Sequence, residues 1–138
     1  MQNLFVSEND EFEVKFCVAT DENGTIYCDL TQDALKQFLP EDEGKKYEIK
    51  DYKAIFRKPS FGKTIDLYES VFSTDGTNVN FNPLISRYKK ITLLIKSWNL
   101  KGEDKKPTEE EIKDLHPAIA RIIGVGVDLE TGGLLSMA

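Results

Sequence analysis

The single histidine, His116, is the first side chain to consider for acid–base chemistry, because imidazole changes charge near neutral pH. It stands directly before Pro117, where helical patterning has to pause. In that position capping or plain exposure explains a histidine better than catalysis, which needs a nucleophile or carboxylate held beside it. The chain contains no Gly-x-Ser-x-Gly elbow. Phe61-Gly62-Lys63-Thr64 has the ending of a phosphate-cradling loop but lacks its first glycine and the spacing before the second, so it reads as loop followed by helix start. Cys17 and Cys28 are too few for a disulfide framework and have no zinc-ligand spacing. If Asp21–Gly24 closes a hairpin with Thr20 opposite Thr25, the two thiols lie directly across from each other. In a reducing compartment they stay free. Asp10-Glu11, Glu41–Glu43, Glu103-Asp104 and Glu109–Glu111 offer oxygen to a hard cation, but none alternates as an EF-hand loop does. The expectation is a protein that is not an enzyme and uses no cofactor or metal.

The elements that carry these residues change period midway along the chain. Phe12, Val14, Phe16 and Val18 alternate with Glu13, Lys15, Cys17 and Ala19, the period of a strand with one buried face. Asp21-Glu22-Asn23-Gly24 supplies turn chemistry and Thr25–Leu30 returns as the partner strand, which predicts an antiparallel hairpin over about 12–30. Thr31 can cap a short helix, with Leu30 and Leu35 in hydrophobic-staple positions and Pro40 with Glu41–Gly44 ending it. Tyr47–Arg57 is extended again. Tyr47 and Ile49 differ in parity from Tyr52, Ala54 and Phe56, which predicts a bulge or two short strands.

Helical spacing follows. Ile65, Leu67, Tyr68, Val71 and Phe72 give Thr64–Phe72 an apolar side. Ser73–Asn80 predicts a polar turn, with a small hairpin at Asp75-Gly76 as the other option. Asn82 and Pro83 make a cap and a first helical residue. Leu84, Tyr88, Ile91, Ile95 and Trp98 then recur at steps of four, three, four and three, which predicts a helix over about 83–98. Arg87, Lys89, Lys90 and Lys96 fall mainly off that stripe and read as solvated. Thr108 and Glu111 form a capping box for a helix over about 109–123, whose stripe is Ile112, Leu115, Ile119 and Ile122. That helix must kink or restart at His116–Pro117. The last stretch, 124–138, holds four glycines and is expected to be a mobile tail or to order on a partner.

Strands first and helices second predict an α+β domain, an N-terminal antiparallel hairpin or small sheet before a helical C-terminal half. The 138 residues read as one domain with a β-rich part at about 1–58, a helical part at about 59–123 and a tail at about 124–138. Apolar residues at 40% and charged residues at 30% match a soluble globular chain, and a net charge of −6 repels nucleic acid. No apolar run reaches bilayer length, and Met1–Asp10 lacks the basic-then-apolar order of a signal peptide. A cytosolic setting without membrane or nucleic-acid partners is expected.

Between the two best helices lies "KSWNLKGEDKKP", where Trp98 meets charge and proline. Trp98 fits a core residue that pins the following helix, or an aromatic anchor exposed for a partner.

Three stretches taken together, "YKAIFRKPSFGKTIDL", "NFNPLISRYKKITLLIKSWNL" and "KKPTEEEIKDLHPAIARII", resemble small tail proteins of long-tailed bacteriophages, most nearly the tail assembly chaperone group. The resemblance covers roughly residues 47–123. It implies a non-enzymatic role in the host cytoplasm, binding a tape-measure or tail-tube protein during assembly. It also implies a helical hairpin whose apolar groove accepts an amphipathic helix, with Trp98, Leu100, Ile112 and Leu115 as partner-binding residues. Each of these four also suits a core. Two other readings stand beside it: a structural virion subunit such as a connector, tail or baseplate component, and a small acidic inhibitor of a host protein. The 18 Lys and Arg interleaved with the acids disfavour the last. Assembly into a homo-oligomer is left open.

Overall fold

A computed structural model describes residues 4–7, 9–39, 46–75 and 78–131, the side chains of 70–75 and 78–81 excepted. Strand β1 (Glu11–Thr20) turns into β2 (Ile26–Asp29), followed by helix α1 (Gln32–Phe38) and strand β3 (Glu48–Arg57). Helix α2 (Phe61–Val71), a hairpin of β4 (Phe72–Asp75) and β5 (Asn78–Phe81), helix α3 (Pro83–Leu94) and strand β6 (Ile95–Trp98) come next. Helices α4 (Glu109–Lys113) and α5 (Pro117–Glu130) close the chain. Four strands form one antiparallel sheet in the order β2-β1-β3-β6, so the architecture is α+β.

The main core lies between one face of this sheet and the helices. Phe12, Val14, Phe16 and Val18 point into it from β1, Ala54 and Phe56 from β3, Ile91 and Leu94 from α3, and Ile119, Ile122, Ile123 and Val127 from α5. Phe12 stacks on Phe56 and Phe16 on Tyr52, each pair directly opposed across β1 and β3. On the reverse face, Cys17, Ala19 and Leu35 form a smaller cluster under α1, rimmed by Tyr27, Tyr47 and Ile49.

This second cluster corrects the expectation for β3. The strand is continuous opposite β1 from Glu48 to Arg57, with no bulge between Ile49 and Tyr52. The parity of its apolar residues changes because the buried face changes: Tyr47 and Ile49 pack under α1, while Tyr52, Ala54 and Phe56 pack under the long helices. Thr31 does cap α1, its hydroxyl accepting from the Ala34 amide at 3.1 Å. Leu30 and Leu35 are divided between the two clusters. Pro40 and Glu41–Gly44 lie outside the described residues.

The hairpin register is one residue from the expected one. Thr20 faces Ile26, so Cys28 opposes Val18 and Cys17 opposes Asp29. The two thiols therefore sit on opposite faces of the sheet and both are free. Of the two options for residues 73–80, the small hairpin is the one formed, with Ser73 opposite Asn80.

Helix α3 ends at Leu94, four residues short of the expected end, and Trp98 belongs to an edge strand. Phe56 pairs with Ile95, Ile55 with Ser97 and Ala54 with Trp98, so Lys96 is bulged out of the ladder. The bulge puts Ile95 and Trp98, three residues apart, on the same buried face. That spacing mimics a helical step, and backbone groups left free by β3 favour strand pairing instead. Lys90, expected in solvent, is 6% exposed and bonded to Asp128 of α5 at 2.8 Å. A further correction concerns the expected tail from about 124: α5 is helical to Glu130, with Gly124, Gly126 and Val127 buried. Glycine is required at 126 because a Cβ there would stand 2.3 Å from Val14 Cγ1, so the helix lies close against β1. Residues 132–138 are outside the described set.

Candidate functional site

The segment after Trp98 is ordered by main-chain bonds. Trp98 and Lys105 exchange both amide–carbonyl bonds, at 3.0 and 2.9 Å, and the Gly102 amide donates to the Asn99 carbonyl in a turn that needs a positive φ of 95° at Gly102. Asn99 continues the sheet by proxy: its Oδ1 accepts from the Lys53 amide at 2.9 Å and its own amide donates to the Lys53 carbonyl. The joint is thus strand, closed loop and helix, in place of the helical hairpin that the family resemblance implies.

Helix α4 begins on the expected capping box. The Glu111 amide donates to Thr108 Oγ1 at 3.2 Å and the Thr108 amide donates to Glu111 Oε1 at 3.4 Å. That backbone bond, helped by Lys101 at 3.4 Å, holds the Glu111 carboxyl below its ordinary pKa. The chain restarts at Pro117, where His116 caps α5: its Nδ1 accepts from the Ala118 amide at 3.1 Å.

Of the four residues implied as partner-binding, Trp98 and Ile112 are core, 5% and 6% exposed. Leu100 and Leu115 are half-buried and line a shallow pocket of about 260 Å³ with Phe16, Ile26, Tyr52 and Ile119. The structure therefore separates the four into two packed residues and two that reach an open apolar surface. This surface lies where the turn-proximal part of the β1–β2 hairpin meets the α4–α5 joint.

The remaining chemical candidates have local structural roles. Phe61-Gly62-Lys63-Thr64 is the first turn of α2, and Ser60 Oγ accepts from the Lys63 amide at 3.2 Å. Glu109–Glu111 occupy the first turn of α4, where the helix dipole favours acids. Burial raises the pKa of the Cys17 thiol, with the Asp51 charge adding to it, and burial likewise raises that of Cys28. Cys17 Sγ donates to the Asp29 carbonyl and Cys28 Sγ to the Ala118 carbonyl, each at 3.3 Å. Among the described residues, no three His, Cys, Asp or Glu side chains gather as metal ligands, and no helix is long and apolar enough to cross a membrane.

Two features escaped sequence reasoning. Lys90 and Asp128 bind α3 to α5, and the signal for it was the position of Lys90 between Ser86 and Leu94 on one helical face, all three buried. Arg57, Lys58 and Lys63 surround a second hollow of about 230 Å³ with Ser7 and Ser60, brought together from β3 and α2. No family model, curated protein or solved structure matches this chain.

Proposed function

We propose that this protein is a non-enzymatic binding protein of phage tail morphogenesis that holds an apolar segment of a tape-measure or tail-tube partner during assembly. The observation that supports this reading is the open apolar pocket at Leu100 and Leu115. At about 260 Å³ it is below the range of roughly 300–1,000 Å³ usual for small-molecule sites. It suits a large apolar side chain projecting from a partner helix, the anchoring mode of helix-in-groove recognition. Trp98 and Ile112 act behind this surface as core residues that fix the loop and α4. The acidic net charge of −6 keeps a complex with a long apolar partner soluble.

Co-expression with a phage tape-measure protein tests the reading. The partner should be recovered soluble and bound, and Leu100→Glu with Leu115→Glu should weaken binding by about tenfold or more while the thermal transition remains cooperative. A partner equally soluble without this chain, or bound equally by the double variant, would overturn it.

A further inference from the structure

We propose that the hollow of about 230 Å³ between the N-terminal segment, the end of β3 and the start of α2 is a binding site for a phosphate-type oxyanion. It is separate from the pocket at Leu100 and Leu115 and goes beyond the function read there. Its lining combines three cationic residues, Arg57, Lys58 and Lys63, with two hydroxyl residues, Ser7 and Ser60. Hydrogen bonds hold the three segments in place. The Lys58 amide donates to the Asp10 carbonyl at 2.9 Å, the Asp10 amide to the Ser7 carbonyl at 3.1 Å, and the Lys63 amide to Ser60 Oγ at 3.2 Å. The last of these uses Ser60 Oγ as an acceptor and leaves its proton to donate.

The charges around the hollow point to an anion. No ion pair among the described residues includes Arg57, Lys58 or Lys63. The neighbouring acids are engaged elsewhere: Asp10 accepts from the Ser7 amide at 2.9 Å, and Glu11, opposite Arg57 in the ladder, pairs with Lys96. Asp66, on the next turn of α2, forms no ion pair with Lys63. Three positive charges thus lie together without a bonded counter-charge, in a chain whose net charge is −6. Their mutual repulsion is relieved when an anion sits among them. A guanidinium fork bonds two oxygens at once, and ammonium and hydroxyl groups each donate to another, which suits a tetrahedral oxyanion. Size selects a small ion over a nucleotide, because the hollow is below the roughly 300–1,000 Å³ of small-molecule sites. The Thr64 hydroxyl, which a nucleotide loop would give to a magnesium ion, donates instead to the Ser60 carbonyl at 2.9 Å.

Backbone amide spectra of the full chain, titrated with sodium phosphate at constant ionic strength, test the proposal. The Ser7, Lys58, Ser60 and Lys63 amides should shift together and saturate, and sodium chloride should leave them in place. Arg57→Gln with Lys63→Gln should weaken binding by about tenfold or more, since two charged donors are lost. Lys36→Gln with Lys106→Gln, elsewhere on the surface, should bind as the native chain does. All four side chains are exposed, so circular dichroism should report an unchanged fold for both double variants. Glycerol 3-phosphate separates two sources of the ligand: binding as tight as that of phosphate assigns the site to an ester, weaker binding assigns it to the free ion, and either supports the proposal. Shifts that are absent or never saturate, an equal response to chloride, or an Arg57 and Lys63 double variant that binds as tightly as the native chain would each overturn it.

Discussion

The two faces of the four-stranded sheet are built by different means. One face carries the main core, to which α2, α3, α4 and α5 and Trp98 of the edge strand contribute, and its aromatic pairs lie in the half of β1 and β3 away from the β1–β2 turn. Among the described residues, the other carries only a seven-residue helix over the turn-proximal half, where Leu35 seals Cys17 and Ala19. Beyond α1, Glu11, Glu13 and Lys15 on that face are exposed among the described residues. The same two strands are thus buried on both sides at one end and on one side at the other. The difference shows that a strand's polar pattern records what lies over each stretch of it, and that a change of pattern need not be a change of backbone.

Trp98→Ala should produce the largest loss of stability, about 3–5 kcal/mol, because it empties a large site in the main core and loosens the edge strand. Denaturant unfolding measures it. A loss below about 1 kcal/mol would mean that β6 and its loop are peripheral to the main face. Leu35→Ala should cost less, about 2–3 kcal/mol, since a small cluster near the surface can collapse around the space. If it equals the Trp98 variant, the two faces are energetically alike and the comparison fails. Gly126→Ala should lose about 1–2 kcal/mol: overpacking against stiff Val14 exceeds the helix propensity gained. Gly124→Ala sharpens this, because its nearest obstacle is the flexible Arg87 chain at 3.2 Å, and its midpoint should move by less.

Much of the fold was legible because local rules and burial agreed. Alternation marked β1, Thr31 and Asn82 marked their helix starts, and Thr108 with Glu111 marked a third, since caps depend on groups three residues apart. The candidate site was legible only in part. Leu100 and Leu115 reach the surface pocket, but Trp98 and Ile112 share their apolar character and lie inside. Hydrophobicity identifies a side chain that avoids water without stating which neighbour removes it.

The sequence by itself determined the division into a strand-forming front and a helix-forming rear, the caps, and the interruption at Pro117, because these follow from backbone sterics and nearby hydrogen bonds. Only the tertiary structure decided the hairpin register, the end of α3 and the helical fate of Gly124–Glu130. Register rests on the turn and on two competing buried faces. Ile95–Trp98 becomes a strand because β3 offers partners that a helix end cannot use. Gly126 lies in a helix packed so close on β1 that a Cβ would meet Val14, a constraint set by a strand more than 100 residues away in the chain.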